Sequence, residues 1–338
     1  MNIELIQGNC LTESDKIESG SVDLILTDLP YGTVKGAKLD GWNGTKTDWD
    51  NVIDTNEIYK IANRILRKNG KMVLFCQEPF TTELINKAIP NIPFSYRMIW
   101  EKDHYANALI AKKAPVNYYE DVLVFSKIHD FEGLHPLRDY FKNIMDYIGL
   151  NLKQINTKLG HRRAEHTFYV TPKQAIIKEV GQKADHVTRI GSSQFALCTE
   201  KTYSELIEVF GIDKMDGFKT YAELRDIDKK YDSTFNLWEG KKYKSNILKY
   251  KKDYDGYHPT QKPVLLLEDL IKTFSNEGDL VVDLTMGSGS TGIACMNTNR
   301  NFIGIELDET YYNLAKKRVE ERRKEKDLQA WTLFGNEM

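Results

Sequence analysis

The stretch Leu280-Val-Val-Asp-Leu-Thr-Met-Gly-Ser-Gly-Ser-Thr-Gly-Ile-Ala-Cys295, with Phe302-Ile-Gly-Ile-Glu-Leu-Asp308 behind it, constrains the fold more than any other part of the chain. Leu280 to Leu284 is a short apolar run and predicts a buried strand. Gly287, Gly289 and Gly292 predict a tight turn, with a helix starting near Ser290. Phe302 to Ile305 predicts a second buried strand that ends in Glu306. Strand, glycine turn, helix, strand, acid is an arrangement that holds a nucleoside-bearing ligand at the carboxyl end of a parallel sheet. The glycines let the backbone approach the ligand, and Glu306 can accept hydrogen bonds from both ribose hydroxyls.

A bare Gly-x-Gly-x-x-Gly describes an ordinary tight turn equally well. Its position narrows the choice. Ile293 stands where a Walker loop needs lysine. A nicotinamide enzyme usually places this unit first and builds its sheet downstream. Here about thirty residues follow Glu306, so most of the sheet must come from upstream. Asp283 adds a carboxylate able to meet an ammonium group. A ribose acid plus an ammonium partner suits S-adenosylmethionine better than a dinucleotide. The candidate cofactor residues of this segment are Asp283, Thr285, Gly287, Ser288, Gly289, Ser290, Thr291 and Glu306.

The 338 residues, 41% of them hydrophobic, suffice for a large core and two domains. No run of eighteen apolar residues predicts a membrane span. The first residues lack the basic and apolar regions of a signal peptide. Cys10, Cys76, Cys198 and Cys295 are too dispersed for a zinc pattern or a disulfide framework. A cytoplasmic protein with reduced thiols and no metal site is the plain reading. A net charge of −2 neither requires nor excludes nucleic acid, because a local basic patch suffices.

Upstream, strands are predicted at Ile3 to Ile6, Val22 to Thr27, Lys71 to Cys76, Tyr96 to Trp100 and Asp121 to Phe125. Asp54 with Glu57 should cap a helix running through Arg67, closed by Asn69-Gly70. A second helix is expected over Thr81 to Ala88. Thr33 to Asn51, with Trp42 and Trp49, reads as a loop beside a site. With the two C-terminal strands this gives seven strands alternating with helices: an α/β, doubly wound, Rossmann-like sheet.

The alternation stops between about 130 and 245. Leu137 to Ile148 and Leu152 to Leu159 read as helices around Gly149-Leu-Asn151, with Gly160 closing the second. Thr202 and Glu205 form a capping box for a helix to Phe210, and Thr220 to Asp228 is another helix. The expected organisation is 1–129 and 246–338 for the sheet domain, with 130–245 as a helical insert. The first two helices of the insert fit a helix-turn-helix, and fit an ordinary helical bundle as well. Lys153, Lys158, Arg162, Arg163 and His166 give the insert a basic flank. Lys241 to Lys252 is basic, free of acids and interleaved with tyrosine, so Lys241, Lys242 and Lys244 are candidate phosphate contacts. A solvated charged face is the other reading of that run.

Asp28-Leu29-Pro30-Tyr31 follows a buried strand, so it belongs at the same sheet edge as Gly287 and Glu306. Such a turn can be mere punctuation: Asp starts it, Pro fixes it, Tyr packs. Beside a nucleoside-sulfonium site it acquires a mechanism. An exocyclic amine on a base is a poor nucleophile, because its lone pair is delocalised into the ring. The Asp28 carboxylate and the Leu29 carbonyl can each accept an amine hydrogen, freeing that lone pair for in-line attack on a methyl sulfonium. Tyr31 can stack on a base that has left the duplex.

At this point the chain resembles the amino-methylating DNA methyltransferases of the beta group. Their Asp-Pro-Pro-Tyr is present as Asp28-Leu-Pro-Tyr31, and their Asp-Pro-Phe-x-Gly-Ser-Gly-Thr as Asp283-Leu-Thr-Met-Gly-Ser-Gly-Ser290. Their His-Pro-Thr-x-Lys-Pro is intact as His258-Pro-Thr-Gln-Lys-Pro263. Catalytic motif first and cofactor motif last, around a recognition region, is the order of that group. The resemblance covers roughly 1–128 and 245–325. It implies S-adenosylmethionine as cofactor, with contacts from Thr260, Lys262 and Asp28. Gly8-Asn9-Cys10 looks like the family's Gly-Asp-Cys segment near the cofactor adenine. Asn9 and Leu29 depart from the family pattern, and Leu29 loses the dihedral that a proline would pre-set. The implied activity is methylation of adenine N6 in double-stranded DNA, a reaction of restriction–modification systems. The insert resembles segments of phage-type members, and the resemblance is compatible with a homodimer. N4-methylation of cytosine is the same-chemistry alternative. An inactive DNA-binding regulator is disfavoured by intact Asp28, Pro30, Tyr31 and Glu306. A nicotinamide oxidoreductase is disfavoured by the C-terminal place of the glycine unit.

Overall fold

A computed structural model describes residues 1–31, 52–106, 111–130, 135–159, 184, 187, 190–192, 195–253 and 261–335, with side chains described as far as residue 328. The 33–51 loop with Trp42 and Trp49, Gly160, Arg162, Arg163, His166 and His258 to Thr260 lie outside the described residues. The chain divides into two compact units. One comprises Met1–Ile128 with Ser233–Met338, the other His129–Asp232.

In the first unit the described strands are β1 (Ile3–Gln7), β2 (Val22–Asp28), β3 (Leu66–Cys76), β4 (Phe94–Ala106), β5 (Asn117–Ser126), β6 (Ile247–Lys249), β7 (Leu280–Asp283) and β8 (Asn301–Glu306). They form one sheet in the order β1-β8-β7-β2-β3-β5-β4-β6. Among them, β5 runs against the rest: it is antiparallel to β3 and β4, and every other pairing is parallel. The central strands are apolar on both faces, as strands covered on both sides must be. Leu24 and Leu26 of β2 pack with Val281, Phe302 and the helices Val264–Phe274 and Ser290–Asn297. Ile25, between them, packs on the opposite face with Leu74, Val282 and the helix Thr55–Ile65. The alternation of Cβ direction along a strand thus divides one apolar run between two cores.

Several sequence-based boundaries move. The sheet has an eighth strand, β6, inside the basic run. It pairs with β4 through Ile247 opposite Ile99. A three-residue strand flanked by lysines carries too little apolar periodicity to be read from sequence. The compact helical unit therefore ends at Asp232, not 245. The helix capped by Asp54 ends at Ile65 rather than Arg67. Asn69, with φ 65°, and Gly70 lie within β3, where its register against β2 shifts. The helix Glu200–Phe210 is capped by Thr199, whose side chain accepts from the Thr202 N–H at 3.3 Å. Thr202 itself is buried inside the first turn, so the proposed box with Glu205 does not form.

In the second unit the helix Leu137–Ile148 stops at Gly149, left-handed at φ 65°. The next helix, Leu152–Lys158, is opened by a capping box of Asn151 with Gln154. Leu137, Phe141, Ile144 and Ile155 share a core with Tyr203, Leu206 and Leu224. Lys153 and Lys158 remain exposed.

Lys244, read from sequence as a phosphate contact, has a different role. Its side chain is 6% exposed and its ammonium meets the carboxylate of Asp269, itself 2% exposed. Asp269 also accepts from Trp238 Nε1 at 2.8 Å and the Tyr250 hydroxyl at 3.0 Å. Removing one partner of a buried pair leaves an uncompensated charge, at about 3–5 kcal/mol. Lys244→Met should therefore lower the unfolding free energy by about 3 kcal/mol in denaturant titration, while Lys242→Met, at an exposed position, leaves it unchanged. An unaltered midpoint in Lys244→Met would refute the structural assignment.

Candidate active site

The strand order diverges between β7 and β2: β7 continues outward to β8 and β1, β2 to β3. Such a divergence opens a crevice beyond the carboxyl ends of the strands. β2 and β7 pair in parallel with Leu24 opposite Val281 and Ile25 opposite Val282, so Asp283 and Asp28 reach the same edge, Asp28 two residues further along. Their turns are tied together. The Thr27 hydroxyl donates to Asp283 Oδ1 at 2.8 Å and lies 2.8 Å from Thr285 Oγ1. Thr285 Oγ1 in turn donates to the Asp28 carbonyl at 2.9 Å. The catalytic-type turn and the glycine turn, 256 residues apart in the chain, are thereby held as one unit.

A cleft of about 900 Å³ opens over this edge. Of the sequence-nominated residues, Asn9, Cys10, Asp28, Leu29, Pro30, Tyr31, Lys262, Asp283, Thr285, Gly287, Ser288, Ser290, Thr291 and Glu306 line it. Asp283 is 4% exposed. Burial pushes its carboxyl up to about 6, against hydrogen bonds from the Thr291 and Thr27 hydroxyls and the Thr285 N–H that favour its charge. Glu306 is oriented by two backbone donors, Gly287 N–H to Oε2 and Asp308 N–H to Oε1, each at 2.8 Å. Each oxygen keeps acceptor capacity for a further donor. Burial raises this carboxyl too, opposed by those same two N–H groups. The side chain of Asn9 caps the short helix Cys10–Glu13, accepting from the Leu11 N–H at 3.0 Å. Gly289 has φ 81°, and a Cβ there would lie 2.8 Å from Cβ of Ala315, so only glycine fits the turn. Arg318 secures the turn from behind, donating to the Ser288 carbonyl at 2.7 Å and to Ser290 Oγ at 3.2 Å. Nothing in the sequence around Arg318 signals that role.

The Asp28 side chain is a quarter exposed to the cleft. The Tyr31 hydroxyl donates to its Oδ1 at 2.5 Å, and Lys262 Nζ meets its Oδ2. Lys262, implied from sequence as a cofactor contact, is thus an ion-pair partner of Asp28. It also lies 3.0 Å from Glu120, whose other oxygen is 2.9 Å from Lys102. Burial raises the Asp28 carboxyl above its ordinary value, Lys262 pulls it down, and Glu120 pushes it up again. Burial opposes the charge of Glu120 as well, but Lys262 and Lys102 outweigh it and hold that carboxyl below its ordinary value. Leu29 turns its side chain into the core, at 2% exposure, and replaces a proline ring with apolar packing. Sequence reasoning missed Glu120 and Lys102. It looked for chemistry at carboxyl ends, and Glu120 lies near the amino end of the one reversed strand, opposite Trp100.

The family described as DNA methylase matches residues 22–317. The chain belongs to the DNA methylase family. It is similar to the type II methyltransferase M.HpaI of Haemophilus parainfluenzae, at 46% identity over 322 residues, covering 95% of this chain and 75% of that protein. It is similar to the DNA adenine methyltransferase YhdJ of Escherichia coli K12, at 24% identity over 325 residues, covering 94% and 82%. Other curated relatives match over shorter stretches, spanning 35% and 42% of their length. The fold is that of the solved M1.HpyAVI–SAM complex, with a TM-score of 0.50 at 19% identity over 94% of this chain and 98% of that one.

Within this DNA methylase the hydroxyl of Thr27 is the hinge pin between the two turns. Thr27→Val keeps the shape and removes the donor to Asp283, leaving a buried carboxylate short of a partner. The unfolding free energy should drop by about 1–3 kcal/mol. Equal denaturant midpoints for Thr27→Val and the parent chain would show that the bridge does not hold the turns.

Proposed function

We propose that this DNA methylase transfers a methyl group from S-adenosylmethionine to the exocyclic N6 amine of adenine in double-stranded DNA. The observation that carries the reading is the Thr27–Asp283–Thr285 bridge, which fixes an amine-accepting carboxylate beside a nucleoside-type site. The residues of that site fit the cofactor. Glu306 has two anchored oxygens suited to ribose hydroxyls, and Asp283 is a buried carboxylate whose charge an ammonium group would favour. The cofactor supplies an electrophilic methyl on a sulfonium. Asp28 accepts a hydrogen of the target amine, localises the nitrogen lone pair, and takes up the proton released on transfer. Tyr31 offers a ring face to the base. Methylation at a ring carbon would need a thiolate nucleophile, and Cys10, which lines the cleft, has its thiol pushed up to about 11 by burial. Adenine as the target is supported by the similarity, over 94% of this chain, to a protein named a DNA adenine methyltransferase. The extended match to a type II methyltransferase supports a modification role. Exposed Lys153 and Lys158, with Lys241 and Lys242, are the proposed contacts to the DNA backbone among the described residues.

Two measurements test this reading. Asp28→Ala removes an acceptor that strengthens as the nitrogen becomes tetrahedral. Single-turnover methyl transfer should fall by about a hundredfold or more, with cofactor affinity retained. A wild-type rate would make Asp28 a structural turn residue. The second measurement concerns pH. Asp283 must be ionised to hold an ammonium, and its carboxyl sits at about 6 in the free protein. Affinity for S-adenosylmethionine should be constant above that pH and fall about tenfold per unit below it. A flat calorimetric profile from about pH 5 to 7.5 would exclude that contact.

A further inference from the structure

Glu120 is a buried carboxylate that the reading above leaves without a task. It is 3% exposed at the cleft floor. The Tyr31 hydroxyl lies 2.5 Å from Asp28 Oδ1 and 3.0 Å from Glu120 Oε1. The Lys262 ammonium likewise touches both carboxylates. Each donor that occupies Asp28 therefore already contacts a second acceptor. An amine arriving at Asp28 must compete with these two donors. A buried donor stripped of its partner costs free energy, most of all when it is charged. With Glu120 in contact, neither donor is stripped.

We propose that Glu120 is a positioning residue for methyl transfer: the alternative acceptor that holds the Tyr31 hydroxyl and the Lys262 ammonium while the target amine occupies Asp28. The proposal rests on the amino-methyl transfer reading. Lys102 completes it as the counter-charge on the far oxygen of Glu120, 2.9 Å away. Asp28, Glu120, Lys262 and Lys102 then make a cluster of two carboxylates and two ammoniums. Asp283 from β7 and Cys76 from β3 interact with its carboxylates, and Lys252 with its two lysines.

The charge count sets the sign of the pH effect. Transfer needs Asp28 ionised, so activity is lost as pH falls through its pKa. Glu120→Gln keeps the shape and deletes the negative charge that pushes the Asp28 carboxyl up, leaving the Lys262 ammonium to Asp28 alone. The acid limb of the rate should move down by about one pH unit. Lys102→Gln deletes a positive charge, and the limb should move up by a similar amount.

The test is single-turnover methyl transfer to DNA across the pH range, beside calorimetric affinity for S-adenosylmethionine. Wild type, Glu120→Gln, Lys102→Gln, Tyr31→Phe and Tyr31→Phe/Glu120→Gln are compared. Glu120→Gln should retain cofactor affinity and transfer about tenfold more slowly at its plateau. Its loss should be smaller in the Tyr31→Phe background, where one competing donor is gone. A wild-type plateau, or an equal loss in both backgrounds with an unmoved acid limb, would overturn the proposal. Should Glu120→Gln fail to fold, Lys102→Gln decides: an acid limb that stays or moves down refutes it. A wild-type chain that transfers no methyl to DNA would remove the amino-methyl reading itself and this proposal with it. An active wild type with an unaffected Glu120→Gln removes only the role of Glu120.

Discussion

The parallel pairing of β2 with β7 is the constraint on which the site depends. It joins the amino-terminal and carboxyl-terminal parts of one unit, and it does so at the point where strand order diverges. Register alone would bring Asp28 and Asp283 to one edge. The Thr27 hydroxyl then fixes their mutual geometry, because it serves the Asp283 carboxylate and contacts Thr285, which holds the Asp28 carbonyl. Two short turns, each unremarkable as local sequence, become one device through a single buried hydroxyl.

The cleft concentrates carboxylates where burial disfavours their charge. Asp283 and Glu306 are offset by backbone and hydroxyl donors but still sit above their ordinary values. A folded protein carries this cost at neutral pH, and a cationic ligand relieves it, which is how burial becomes binding affinity. Asp28 is treated differently: its main counterweight to burial is the Lys262 ammonium, joined by the Tyr31 hydroxyl. Dipoles cannot leave, whereas an ammonium shared between two carboxylates can shift from one to the other. That difference suits the proposed reading, a fixed cofactor site beside a site that accepts and releases a base.

The glycine turn, Glu306 and the Asp28–Tyr31 turn were legible because each joins an apolar strand to a turn of restricted composition. The central strands were legible for the same reason: Leu24 to Leu26 of β2 and Leu280 to Val282 of β7 are short apolar runs. What was hidden depends on long-range pairing. Glu120 follows two tyrosines in a stretch with no apolar alternation, and it reaches the cleft only because β5 runs backwards. Arg318 lies on the final helix, Glu309–Gly335, whose charged faces look alike in sequence. The basic run from Lys241 looked uniform, yet Lys244 is buried against Asp269 while Lys242 is exposed. Periodicity reports which face of an element is apolar, and it carries no information about which lysine meets a buried acid.

Nucleoside analysis of duplex DNA after incubation with the purified chain and methyl-labelled S-adenosylmethionine tests the central claim most directly. The account predicts label in N6-methyladenine. Label in 5-methylcytosine, or none in the DNA, would contradict it, because neither result uses a carboxylate that accepts an amine hydrogen.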